Sequence, residues 1–182
     1  EEHDLDLGPI ATTVLAPMGI YSEKYDSVEE LPDGAVIALA NEATNMGRGL
    51  LLLQEAGLIK LEDGFDGIGS VDKIVENPKN IQLEPLVAGQ TPRVLPDVDA
   101  SIINNGIAVA AGFSPLEDSI FHEDETALPY VNIIAVQEKD KDNETLLKIV
   151  EIYQTDEVKD FIIEHRKGNT IPTFLPLSEI GY

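Results

Sequence analysis

Apolar positions fall in short runs separated by polar turns. Residues 10–21 (IATTVLAPMGIY) are β-branched and apolar, with Pro17 inside the run. This predicts a strand with a break, because proline removes a ladder donor. Residues 22–34 form a polar connection that closes in Pro32-Asp33-Gly34, a turn signal. Ala35 to Leu39 is uniformly apolar, as expected of a parallel strand buried on both faces. Thr44 is positioned to cap a helix running to about Ala56. Gly57 followed by Leu58 supplies its glycine stop. The leucines at 50–53 require burial on more than one side. Strand, loop and helix here make half of a βαβ unit.

The same alternation recurs more weakly. A short helix is predicted over Ser70–Glu76, stopped by Asn77-Pro78, and a strand over Ile81–Val87. A second strand covers Ala100–Asn104 and leads into a helix over Asn105–Ala111 that ends at Gly112. Tyr130–Gln137 reads as a strand. Two helices follow over 143–153 and 156–166, separated near Thr155-Asp156, and 168–182 is irregular. No internal repeat or low-complexity stretch is present. Alternating strands and helices predict an α/β protein with a mainly parallel sheet.

Composition then narrows the function. The 182 residues carry 12 basic and 34 acidic side chains, a formal net charge of −22. Such a chain repels phosphate backbones and anionic lipid surfaces, which sets nucleic-acid binding aside. The acidic residues are scattered, so most are read as solvated surface. The absence of cysteine removes disulfides, thiolate metal sites and cysteine nucleophiles together. No apolar run approaches the ~20 residues that a membrane span requires, and no signal-peptide pattern is present. The chain starts at Glu1 rather than Met, which reads as a processed chain or a piece of a longer one.

Two constellations could carry chemistry. Asn41-Glu42-Ala43-Thr44-Asn45-Met46-Gly47-Arg48 follows a strand and opens a helix. In open α/β sheets that position faces the ligand crevice. The helix N-terminus offers N–H groups and partial positive charge, and Arg48 adds a planar fork suited to a carboxylate. The chain has three arginines, Arg48, Arg93 and Arg166. A surface arginine on a helix is the competing reading, and spacing alone does not choose between the two. The second constellation, Ile102-Ile103-Asn104-Asn105-Gly106, also ends an apolar strand and starts a helix. An amide there can accept from an ammonium and donate to a carboxylate, although helix capping by asparagine explains the same pattern.

Other motifs point away from catalysis and cofactors. His3, His122 and His165 are far apart and outside metal-ligand spacing. There is no GxSxG elbow. Gly67-Ile68-Gly69-Ser70 lacks the lysine of a phosphate loop. Asp140-Lys141-Asp142-Asn143-Glu144 begins like a calcium loop, but Thr145 replaces the turn glycine. Asn143-Glu144-Thr145 is a glycosylation sequon by pattern only.

Six blocks in order carry a resemblance: PMGIYSEKYDSVEEL, NEATNMGRGLLLLQEAGLIKL, DKIVENPKNIQL, QTPRVLPDVDASIINNGIA, PYVNIIAV and YQTDEVKDFI. From about residue 4 to 170 the chain resembles the NlpA/MetQ family, the methionine-binding lipoproteins of bacterial ABC importers. The resemblance implies a type 2 periplasmic-binding-protein-like α/β fold. In it, two lobes are joined by crossing strands and the ligand is enclosed by hinge closure. On that basis 1–19 is the end of lobe one with the first crossing strand, 20–126 is lobe two, and 127–182 is the second crossing strand with the C-terminal part of lobe one.

The implied function is capture of an amino acid, methionine or related, and its delivery to the permease and ATPase subunits of an importer. The implied site has no metal and no cofactor. Arg48 would pair with the ligand carboxylate and Asn104 would contact the ligand's polar groups. Asn41, Thr44 and Asn45 match the loop that shapes the pocket, and Tyr130 would line the cleft. The implied location is extracytoplasmic, on a lipid anchor in the full-length parent. An adhesin-like surface role for the same fold and a small α/β enzyme are the rival readings.

The chain departs from the family in three places. Val14-Leu15-Ala16-Pro17 stands where the family has His-Val-Glu-Pro. Ala40-Asn41-Glu42-Ala43-Thr44-Asn45 replaces its Pro-Asn-Asp-Pro-Thr-Asn loop. The family's leading segment, with a lipobox cysteine and the first βα units of lobe one, has no counterpart. Lobe one is therefore expected to be incomplete, with an exposed edge open to self-association.

Overall fold

A computed structural model describes residues 6–124, 127–167 and 169–182. His3 and the expected lobe boundary at 126 lie outside the described residues. In chain order the elements are β1 (Leu7–Thr12), β2 (Val14–Leu15), β3 (Gly19–Tyr21), β4 (Val36–Ala40), α1 (Ala43–Glu55), β5 (Lys60–Leu61), β6 (Ile74–Glu76), β7 (Gln82–Leu86), β8 (Ala100–Ile103), α2 (Asn105–Ala110), β9 (Ser119–His122), β10 (Ile133–Gln137), α3 (Glu144–Tyr153), α4 (Asp156–Arg166) and β11 (Ile171–Pro172). The chain divides into two compact units, one of Glu1–Ala16 with Asp124–Tyr182 and the other Pro17–Glu123.

The Pro17–Glu123 unit is built on a five-stranded sheet in the order β7-β4-β8-β3-β9. β4 pairs in parallel with both β7 and β8, and Ile37, Ala38 and Leu39 are fully buried. β3 pairs antiparallel with β8 and β9. The sheet is therefore mixed rather than mainly parallel. The departure comes from β3, which enters by way of Met18 instead of a crossover helix, and from β9, whose half-buried Ser119–His122 has no long apolar run to announce it.

α1 packs Leu50, Leu52 and Leu53 into the main core with Met18, Ile20, Ile37 and Leu39. Full burial of each such side chain contributes ~1.5–3 kcal/mol. The helix closes as expected. Gly57 is left-handed at φ 74°, its N–H donates to Gln54 O at 3.0 Å, and the Leu58 N–H donates to Leu53 O at 3.0 Å. These are the paired bonds of a Schellman stop, with buried Leu58 behind the glycine.

The start of α1 is different from expectation. The helix begins at Ala43, so Thr44 lies inside the first turn, and the cap position is Glu42 with no side-chain cap bond. Residues 70–76 are a 3₁₀ turn over Val71–Lys73 followed by β6, not a helix. The β-branched pair Ile74-Val75 extends against β5, with Leu61 opposite Ile74.

The other unit holds two antiparallel ribbons, β1 with β10 and β2 with β11. α3 and α4 start where the sequence predicts. The Asn143 side chain accepts from the Thr145 N–H and that of Thr155 from the Val158 N–H, each satisfying an N–H that the first helical turn leaves open. Tyr130 ends a 3₁₀ turn over Leu128–Tyr130, and β10 starts three residues later at Ile133. The Tyr130 and Val131 N–H groups are taken up by that turn, donating to Ala127 O at 3.0 Å and Leu128 O at 3.2 Å. The 168–182 tail contains β11 and a 3₁₀ turn over Leu177–Ile180.

Candidate functional site

β4 and β8 are parallel neighbours. Their carboxyl ends therefore lie side by side, and each leads straight into a helix N-terminus, α1 after β4 and α2 after β8. This is the edge where open α/β sheets place ligands. One of the Asn104 Nδ2 hydrogens is donated to Asn45 Oδ1 at 3.0 Å. Asn104 occupies the cap position of α2 yet makes no side-chain cap bond. The capping explanation of this asparagine thus fails, and its amide instead ties the start of one helix to the start of the other.

Arg48 extends from α1 to a carboxylate that the sequence did not single out. Its Nε donates to Glu123 Oε1 at 2.7 Å and its Nη2 to Glu123 Oε2 at 2.5 Å. Glu123 follows β9 and is buried at 3% exposure. The Met18 N–H donates to Glu123 Oε2 at 2.7 Å, and the Glu123 N–H donates to Met18 O at 3.0 Å. A buried carboxylate is tolerated when its oxygens are bonded in this way. Of the ion pairs among the described residues, this one is the most enclosed, with side-chain exposures of 17% and 4%.

The remaining expected residues sit as follows. Asn41 is exposed, and its N–H donates to Leu86 O at 2.7 Å, extending the β4–β7 pairing. Thr44 is exposed on the first turn of α1, which carries neither an acidic residue nor a side-chain cap. That turn and Arg48 together suit an anion. Gly47 allows the backbone of the 64–69 loop against α1, since a Cβ there would overlap the Gly67 carbonyl oxygen. Tyr130 is half-buried and belongs to the other unit. The structure therefore ties Asn45 to Asn104 at adjoining strand ends of one unit, with Arg48 three residues further along α1 and Asn41 and Thr44 on the loop and first turn before it.

Glu123 is the residue that sequence reasoning missed. It is one of 34 acidic residues, and in sequence it merely follows a half-apolar stretch. The available signal was its place directly after Ile120-Phe121-His122, where an acidic side chain at a strand end needs a partner.

A cavity of ≈ 550 Å³ in the same unit is lined by Pro92, Arg93, Ile107 and Phe113 among others, and by none of the residues above. Its lining is largely apolar, with Arg93 the one charged side chain.

Comparison with known proteins agrees with this architecture. A sequence model described as NlpA lipoprotein matches residues 1–174. The probable D-methionine-binding lipoprotein MetQ of Pasteurella multocida (strain Pm70) is 40% identical over 171 residues, 94% of this chain and 62% of that protein. The D-methionine-binding lipoprotein MetQ of Escherichia coli (strain K12) is 45% identical over 151 residues, 82% and 55% of the two chains. The chain thus spans less than two thirds of these relatives. A solved nutrient-binding protein from Burkholderia cenocepacia bound to methionine superposes with a TM-score of 0.82 at 43% identity, covering 95% of this chain and 73% of that one.

Proposed function

Because the chain belongs to the NlpA lipoprotein family, we propose that it is the larger part of a binding protein that captures methionine or a related amino acid for an ABC importer. The observation that carries this reading is the bond between Asn104 and Asn45 at the ends of β4 and β8, with Arg48 three residues beyond Asn45 on α1. In a zwitterionic ligand, Arg48 meets the carboxylate, with help from the uncapped first turn of α1. Asn104 holds its amide against Asn45 and addresses the amino and carboxylate groups. Asn41 and Thr44 shape the rim of the pocket. The two compact units are the two lobes of the binding protein. Its partners are the permease and ATPase subunits, and a lipid anchor on the parent protein holds it outside the cytoplasm.

The test is calorimetric titration of the purified protein with L-methionine and with D-methionine. Arg48→Ala is expected to weaken binding at least about tenfold, the scale of one charge-assisted hydrogen bond. Unchanged affinity in that variant would remove Arg48 from the site.

A further inference from the structure

We infer that Glu123 is a positioning residue for ligand recognition: it holds the Arg48 guanidinium in one orientation before the ligand arrives. The inference rests on the reading of Arg48 as the carboxylate receptor. Three observations support it. First, Glu123 grips Arg48 through two bonds, on Nε and on Nη2, at 2.7 and 2.5 Å. A two-point grip fixes the plane of the guanidinium, which a single contact does not.

Second, Glu123 is itself immobilised. Its Oε2 accepts from the Met18 N–H at 2.7 Å, and its own N–H donates to Met18 O at 3.0 Å. Met18 is 1% exposed and precedes β3, in the middle of the core. The orientation of Arg48 is thereby referred to the sheet rather than to its own helix. Third, the pair is poorly explained as a stability device. Removing two charges from water offsets most of what their attraction returns, so an apolar pair of the same volume stabilises a core equally well. An ordered arginine, by contrast, spares the ligand the entropy of fixing a long side chain.

Glu123→Gln keeps the shape and removes the charge. Two readouts test it. In side-chain ¹⁵N NMR, the Arg48 Nε–H of the unaltered protein is expected as a separate, exchange-protected signal. Glu123→Gln should merge it with the averaged arginine signal while the backbone spectrum stays that of a folded chain. This arm needs no ligand. In calorimetry with L-methionine, Glu123→Gln should weaken binding about tenfold, with Glu123→Asp in between. Combined with Arg48→Ala, Glu123→Gln should add less than about twofold, because both changes remove the same interaction.

A protected Arg48 signal that survives Glu123→Gln overturns the inference. So does a Glu123→Gln loss that adds in full to that of Arg48→Ala, which marks a merely structural role. If Arg48→Ala leaves affinity intact, the site reading fails and takes the inference with it. If Arg48→Ala weakens binding and Glu123→Gln does not, the inference alone fails. Should Glu123→Gln not fold, Glu123→Asp, which retains the charge on a shorter arm, is read in the same two assays. An unmoved Arg48 signal with unmoved affinity in that variant then counts against the inference.

Discussion

The two compact units use similar apolar side chains to different ends. Among the described residues, both clusters of buried apolar side chains lie in Pro17–Glu123. There α1 lies on a five-stranded sheet and buries Leu50, Leu52 and Leu53. In the other unit α3 buries no residue fully and α4 only Ile162, and Ile149, Ile152 and Phe161 stay exposed. The charges follow the same division. Arg48–Glu123 is enclosed, whereas Lys148–Glu151 on α3 stands in solvent with side-chain exposures near two thirds, 67% and 64%. An amphipathic helix is thus only half of a core. What decides its contribution is whether a partner surface covers its apolar face, and among the described residues those of α3 and α4 are largely open.

The sharpest test of that contrast sets one aliphatic truncation against another. Leu50→Ala, at a position 0% exposed, should cost about 2–5 kcal/mol in urea unfolding. Ile152→Ala, at 59% exposure, should stay within about 0.5 kcal/mol. Comparable losses would show that α3 is buried in solution and would dissolve the contrast.

Gly47→Ala is the next largest. Alanine is the better helix former, yet a Cβ at Gly47 overlaps the Gly67 carbonyl oxygen. The variant should lose about 1–3 kcal/mol, as other overpacked positions do, and a gain would show that the 64–69 loop yields.

The smallest effect is expected at Tyr21, whose buried hydroxyl has no hydrogen-bond partner among the described residues. Burial, and after it the charge of Asp118, pushes its phenol well above the usual 10.0. The folded chain therefore holds this proton more tightly than the unfolded one. Stability from this group is complete below about pH 10 and falls as the pH rises further. Tyr21→Phe should change neutral-pH stability by less than about 1 kcal/mol and flatten the alkaline decline. An unchanged alkaline slope would place the titration elsewhere.

Much of the α1 region was legible beforehand, because its signals are local. The buried run of β4 and the glycine stop at Gly57 each depend on neighbours within a few residues. The 70–76 segment misled for a related reason. Its seven residues are too few for helical periodicity to outweigh the β-branched Ile74-Val75 once β5 offers an edge. β9 was missed because half-buried strands carry no long apolar run.

By itself, the sequence determined where Arg48 and Asn104 fall: just past the ends of apolar strands, at the openings of helices. Those positions follow from local pattern, which needs no distant partner. Only the tertiary structure decided what the two side chains touch. Asn104 reaches Asn45, 59 positions away, and Arg48 reaches Glu123, 75 positions away. Contacts at that separation are set by which strands become neighbours in the sheet, and one glutamate among 34 acidic residues bears no local mark of that choice.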